Sequence, residues 1–133
     1  MWPSRRQIQN QYKMKPDLLK NPIVRHSVEF SIMVIKYVEV LEANRKFVIA
    51  KQLLRSATSI GACVMESQSA ESKADFIHKL KIADKEARET WYWLYLCEQT
   101  DTITFDNELT KKLDEIMRLL NAIILSAKSN SSN

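Results

Sequence analysis

The chain has 133 residues, 45% of them hydrophobic, which is enough for one domain with a buried core. It contains one glycine, so a glycine-rich phosphate loop, a dinucleotide fingerprint and a GxSxG nucleophile elbow are all excluded. The formal net charge of +4 arises within residues 1–20, where five basic side chains oppose one acid, because the rest of the chain carries 15 of each.

The N-terminal segment, residues 1–20, is predicted to be a basic, flexible arm. It lacks the apolar core of a secretory signal, and no uncharged run in the chain is long enough to span a membrane. Met14 could be an alternative translation start, since the residues after it form a natural leader into the first helix. Two cysteines, Cys63 and Cys97, suit a reducing compartment, so we expect a cytoplasmic protein.

Few helix breakers and many Leu, Ile, Ala, Lys and Glu residues predict long helices. We expect four of them, at about residues 22–43, 45–68, 73–99 and 106–127. Asn21, Ser72 and Asp106 are the candidate N-caps, and Asp75 would complete a capping box with Ser72. The predicted fold is an all-α, antiparallel up-down four-helix bundle over residues 21–128, followed by a disordered tail at 129–133.

The first helix is apolar on more than one side. Helical spacing predicts a core stripe of Val24, Val28, Ile32 and Ile35. Phe30 and Tyr37 then lie on other sides, and the polar strip is too narrow for a helix of a lone bundle. We therefore predict that Phe30 and Tyr37 contact another subunit. Asn44 is the expected left-handed residue at the helix end.

The second helix has a core stripe in which three of seven residues are Ala or Gly, so a neighbouring helix can approach closely. The stripe consists of Ala50, Leu53, Leu54, Ala57, Ile60, Gly61 and Val64. Arg55, Ser59 and Glu66 lie on the opposite side. Its first turns hold the basic cluster of the body, Arg45, Lys46, Lys51 and Arg55, which is either a solvated face or a phosphate-contacting patch.

The third helix is predicted to bury one stripe and to present large apolar residues opposite it. The buried stripe is Phe76, Leu80, Ala83, Ala87, Trp91 and Leu94. Ile82, Trp93 and Leu96 fall on the far side, where a subunit interface is favoured over simple exposure. The fourth helix carries a single core stripe of Leu109, Leu113, Ile116, Leu120, Ile123 and Ile124.

The sequence gives little support for a catalytic site or a metal site. His26 and His78 lack the HxxxH or ExxH spacing of metal ligands. Cys63 and Cys97 are predicted to be small buried hydrophobic residues, because the sequence offers no base positioned to activate a thiol. The run Trp91–Trp93 could stack on nucleic-acid bases, but helical spacing sends its rings to different faces. We expect no enzyme activity, no metal and no cofactor.

The segment 51–96 resembles the 23S rRNA-intervening sequence protein family. The resemblance rests on the run Gln52–Ile60, then on Glu66, on the run Ser72–Phe76, and on Leu80, Ile82, Ala83, Glu89 and Trp93. It covers about a third of the chain. Ser67 departs from the glycine that many relatives have there, which we expect to change the turn and not the fold.

The resemblance implies a bacterial four-helix bundle that assembles into a ring, typically a homopentamer. It also implies distant similarity to the accessory variability protein of diversity-generating retroelements, a basic pentamer that works with a reverse transcriptase and RNA. It further suggests that Arg55 and Glu66 form ionic contacts between subunits. The predicted subunit interface is therefore Arg55, Ser59, Glu66, Ile82, Trp93, Leu96, Phe30 and Tyr37.

Two function classes remain open. The first is a non-catalytic assembly or scaffold protein, and the second is an RNA- or DNA-binding accessory protein. The candidate nucleic-acid contacts are Arg5, Arg6, Arg45, Lys46 and Lys51. Repetition around a ring could amplify weak patches through avidity.

Overall fold

The computed structural model describes residue 4 and residues 16–130. A 3-10 turn, Pro16–Lys20, leads into four helices: α1 Pro22–Ala43, α2 Phe47–Ser67, α3 Lys73–Gln99 and α4 Asn107–Ser129. No strand occurs in these described ranges, which confirms the all-helical prediction. The bounds of α1 and α3 match the sequence estimate. α2 starts two residues later and ends one residue earlier than predicted, and α4 starts one residue later and ends two residues later.

Three of the helices begin with a side-chain cap. Asn21 accepts a hydrogen bond from the Ile23 amide at 3.3 Å, and Asp106 accepts from Glu108 at 3.0 Å. Ser72 accepts from the Asp75 amide at 3.0 Å. These oxygens satisfy first-turn N–H groups that have no partner inside the helix. α2 differs, because Lys46 at its N-cap position provides no such bond.

The turn from α1 to α2 is a Schellman motif with an arginine in the left-handed position. The Arg45 amide donates to the Glu42 carbonyl at 2.9 Å, and the Lys46 amide donates to the Leu41 carbonyl at 2.8 Å. Arg45 has φ 62°, whereas Asn44 has φ −95°. The prediction that Asn44 adopts the left-handed conformation was therefore wrong by one residue, since α1 ends at Ala43 and Asn44 is its cap.

The four helices pack as a closed set of neighbours. α1 contacts α2 and α4, and α3 contacts the same two helices. Short turns join consecutive packed helices, so neighbouring helices run antiparallel. The C-termini of α1 and α3 therefore lie at the same end of the bundle as the N-termini of α2 and α4. The core between them is mainly apolar and includes four small hydroxyl side chains. Its largest fully buried side chains include Phe30, Leu41, Leu53, Ile60, Leu80, Leu94, Leu109, Leu113, Ile116 and Leu120.

The core stripe predicted for α1 was correct at Val24, which is buried, but wrong at Ile32 and Ile35. Ile32 and Ile35 are 47% and 45% exposed, and the buried face is instead Ile23, Val24, Ser27, Phe30, Val34, Tyr37, Val38 and Leu41. Both faces have apolar residues at helical spacing, so periodicity alone cannot choose between them. Ser27 joins the buried face because its hydroxyl donates to the Ile23 carbonyl at 2.6 Å.

The stripes of α2 and α4 are largely as predicted, with Leu54, Gly61 and Ile123 only partly buried. In α3 the prediction failed at Trp91, which is 43% exposed, while neighbouring Thr90 is completely buried. A hydroxyl that finds partners inside the core can take a position where an indole would not fit.

Candidate interaction surfaces

Six of the predicted interface residues lie together on the outward side of α2 and α3. We call this surface the α2–α3 face, and it consists of Arg55, Ser59, Glu66, Ile82, Trp93 and Leu96. Arg55 and Glu66 are exposed, and the other four are partly buried. The three residues of α2 share one side of that helix, and so do the three residues of α3. The short turn between α2 and α3 brings these two sides together.

Arg55 is paired within the chain. Its guanidinium reaches across from α2 to Glu86 and Glu89 of α3. Glu89 also accepts a hydrogen bond from the Trp93 indole at 3.3 Å. Arg55 therefore orients Glu89, and Glu89 in turn orients the indole of Trp93.

Glu66 is paired within the chain as well. Lys79 of α3 donates to it at 3.0 Å, and this hydrogen bond raises the pKa of the Lys79 ammonium. Asp75 lies one turn before Lys79 on α3, but Glu66 of α2 is the acid at salt-bridge distance from Lys79. Such exposed pairs add little stability, so their main effect is to align α2 with α3.

Phe30 and Tyr37 do not belong to an outer surface. Phe30 is completely buried, and Tyr37 is 7% exposed. The Tyr37 hydroxyl donates to the Thr104 carbonyl at 2.9 Å, and its ring packs edge-on against Phe105 at 6.3 Å. Burial raises the pKa of this hydroxyl well above its usual range. The prediction that Phe30 and Tyr37 contact another subunit was wrong, because both side chains are buried inside the monomer.

The surface that sequence reasoning missed is the other side of α1. Val28 is partly buried there, and Ile32 and Ile35 are nearly half exposed. We call these three residues the outer α1 stripe. The signal was present as an apolar i, i+4, i+7 pattern, but it was assigned to the core.

Basic and apolar residues meet at the start of α2. An open groove of about 430 Å³, here called the α2 groove, is lined by Arg45, Lys46, Phe47, Val48, Ile49, Trp93 and Leu96. Phe47 is 58% and Val48 80% exposed. Arg45, Lys46 and Lys51 make no salt bridge with any residue of the described ranges. Arg5 and Arg6, the other predicted nucleic-acid contacts, lie outside the described residues.

A polar cluster joins α1 to α4. The Lys112 ammonium donates to Glu29 and lies 2.7 Å from Nδ1 of His26. Glu115 is 3.5 Å from the same ring nitrogen. The hydrogen bond from Lys112 is the main cause of a lowered Glu29 pKa. This arrangement explains His26 as a structural side chain at the edge of two helices.

The described residues contain no group of three or more His, Cys, Asp or Glu side chains arranged to hold a metal ion. Both cysteines are free, and burial raises the pKa of the Cys63 and Cys97 thiols, which disfavours the reactive thiolate. No helix in the part of the chain that the structure describes is long and apolar enough to cross a membrane.

The fold and these surfaces define an all-helical protein of four packed helices. The model of the 23S rRNA-intervening sequence protein family matches residues 20–122. The chain is a member of that family.

A solved structure is similar over most of the chain. It is a protein of unknown function from the S23 ribosomal protein family of Bacteroides thetaiotaomicron, with 44% sequence identity and a TM-score of 0.73. The match covers 77% of this chain and 97% of that one. Among curated proteins, none matches the chain significantly.

Proposed function

We propose that the protein is a non-catalytic cytoplasmic scaffold that associates with copies of itself into a closed ring, with a homopentamer as the expected form. The observation that carries the proposal is the outer α1 stripe. Two isoleucines nearly half exposed beside a partly buried valine, on a helix that already buries its other side, form an apolar surface that a lone bundle does not need.

The chain offers two different surfaces for this association. The outer α1 stripe is aliphatic, whereas the α2–α3 face combines Trp93, Leu96 and Ile82 with ordered charges. Contact between two unlike surfaces is heterologous, and a heterologous contact that closes on itself generates a ring. The proposal therefore places the outer α1 stripe of one subunit against the α2–α3 face of the next, with the contact centred on Ser59, Glu66 and Ile82 and with Trp93 and Leu96 at its open rim.

Sedimentation velocity of Ile32→Glu/Ile35→Glu tests the contact. Glutamate keeps helix propensity, so α1 should persist while the apolar stripe is lost. We expect the wild type to sediment as one oligomer and the double variant as a monomer with unchanged helical circular dichroism. Leu125→Glu is the matched control, since Leu125 is 58% exposed on α4 and belongs to neither surface. A wild-type monomer, or equal dissociation of both variants, would contradict the proposal.

The second candidate is an RNA- or DNA-binding accessory role. Arg45, Lys46 and Lys51 support it, because none of these three cations forms a salt bridge with another residue that the structure describes. The even balance of charge beyond residue 20 weighs against it, because nucleic-acid binders concentrate basic charge on the folded surface. The test is binding of structured RNA at low and at physiological salt. A steep loss of affinity would support this role, and no binding at low salt would remove it.

A further inference from the structure

We propose that the α2 groove is a docking site for a short acidic, amphipathic segment of a protein partner. Such a segment would place one bulky apolar side chain against Phe47, Val48 and Trp93, and one or two carboxylates beside Arg45, Lys46 and Lys51. This names the partner chemistry of the proposed scaffold, but it does not depend on ring formation.

The first argument is charge complementarity. The segment 45–51 holds three basic residues and no acid, and none of the three makes a salt bridge with a described residue. Arg55 and Lys79, on the same side of the bundle, are each paired with an acid of the neighbouring helix. The cluster at the start of α2 therefore retains its charge for an external anion. The positive end of the α2 dipole, which no side chain caps, adds to the same field.

The second argument is the apolar lining. Val48 is the most exposed large hydrophobic side chain among the described residues, and Phe47 beside it is also more than half exposed. Trp93 and Leu96 of α3 form the opposite wall, and the hydrogen bond from the indole to Glu89 holds Trp93 in place. The fixed wall of Trp93 and Leu96 faces the exposed side chains of Phe47 and Val48, and the space between them suits one apolar side chain of a ligand. Peptides that bind in grooves commonly use such an apolar side chain as their anchor.

The same observations favour an acidic peptide over a nucleic acid. Phe47 and Trp93 have ring faces, but the rest of the apolar lining, Val48, Ile49 and Leu96, is aliphatic and cannot stack on a base. Glu42 and Glu98 are exposed on the last turns of α1 and α3, at the same end of the bundle. An extended phosphate backbone would meet these acids, whereas a short segment can contact the three cations alone.

The experiment selects ligands from a phage-displayed random dodecapeptide library on the immobilised full-length protein. The enriched peptides are then synthesised with a fluorescent label, and binding is measured by anisotropy. Val48→Asp removes the apolar rim, and its new acid lies in the first turn of α2, where the helix dipole favours it. Lys46→Gln/Lys51→Gln removes charge, and Leu125→Asp places the same acid on an exposed site near the opposite end of the bundle.

We expect enriched peptides to combine a bulky apolar residue with adjacent Asp or Glu. Val48→Asp should bind them about tenfold more weakly or worse, the double lysine variant should lose affinity and salt dependence, and Leu125→Asp should match the wild type. Sedimentation without peptide should show the same oligomer for all of these variants, which separates this test from that of the ring.

Three outcomes would overturn the proposal: no enrichment, enriched peptides without acids, or equal binding by Val48→Asp and Leu125→Asp. Binding of a labelled oligouridine, measured by anisotropy in the same way, tests the alternative that the groove binds nucleic acid. If the oligouridine binds the wild type more tightly than the selected peptides and loses affinity in Val48→Asp, the groove is a nucleic-acid site and the peptide proposal is wrong.

Discussion

Thr90 of α3 and Ser56 of α2 are both completely buried, and their hydroxyl oxygens lie 2.9 Å apart. Thr90 Oγ1 is also 2.7 Å from the Glu86 carbonyl, and Ser56 Oγ is 3.3 Å from that of Leu53. Each hydroxyl has one proton to donate, so the two groups share a small network across the helix contact. Side chains of this size let α2 and α3 approach closely while both polar groups remain satisfied.

We expect Thr90→Val and Ser56→Ala each to lower the free energy of unfolding by about 1 kcal/mol, because each leaves the other hydroxyl with one partner fewer. The double variant should lose less than the sum, since it removes both polar groups together. Urea denaturation of the four proteins measures the coupling. Strict additivity would show that the contact between the two hydroxyls contributes nothing.

The single glycine lies where α1 approaches α2. A Cβ at Gly61 would lie 3.4 Å from Ser31 Oγ and 3.8 Å from the Ser27 carbonyl, which is ordinary contact. We expect Gly61→Ala to stabilise the protein by about 0.5–1 kcal/mol, because alanine is the better helix former and its methyl fits. Thermal unfolding provides the measurement. Ala62→Gly, at the exposed neighbouring position, should cost a similar amount, and a destabilised Gly61→Ala would show that the helices are packed too tightly there.

Arg45 in the left-handed conformation carries a backbone strain that glycine would not. Arg45→Gly should preserve the two hydrogen bonds of the Schellman motif and raise the free energy of unfolding by about 0.5–1 kcal/mol. Asn44→Gly is the matched control, and it should bring no gain because Asn44 has a negative φ and its side chain donates to the Val40 carbonyl. A gain from Asn44→Gly alone, in chemical denaturation, would contradict this description of the turn.

The ion pair between Glu29 and Lys112 predicts a pH dependence of stability. The folded-state pKa of Glu29 lies below its ordinary value of 4.5, so the stabilisation is complete above that value and is lost as pH falls through the lowered pKa. We expect Glu29→Gln to have a lower Tm than the wild type at neutral pH and an equal Tm in strong acid. The comparison is a set of calorimetric melts across this range.

Glu39→Gln provides the control for that experiment. Glu39 is an exposed acid of the same helix and has no salt bridge within the described part of the chain. Its substitution should leave the Tm nearly unchanged at every pH. If Glu29→Gln and Glu39→Gln behave alike, then the pair with Lys112 does not contribute to stability.

Most of the helical architecture could be read from local chemistry. Asn21, Ser72 and Asp106 marked three helix starts correctly, because a capping side chain acts on amides only two or three residues away. The core stripes of α2 and α4 were also largely predicted from the sequence, since each of these helices has one dominant apolar side. Much of the α2–α3 face followed from the same reasoning, because a short turn leaves little freedom in how two helices pair.

The number, the approximate ends and the antiparallel order of the helices follow from local sequence, since these depend on caps, turns and single-sided periodicity. Which apolar side of α1 is buried depends instead on how all four helices pack. This packing places Phe30 and Tyr37 in the core and leaves Ile32 and Ile35 outside. It also matches Arg55 with Glu89 and Glu66 with Lys79. A helix that is apolar on two sides has two nearly equivalent ways to pack, and only contacts with the other helices distinguish between them.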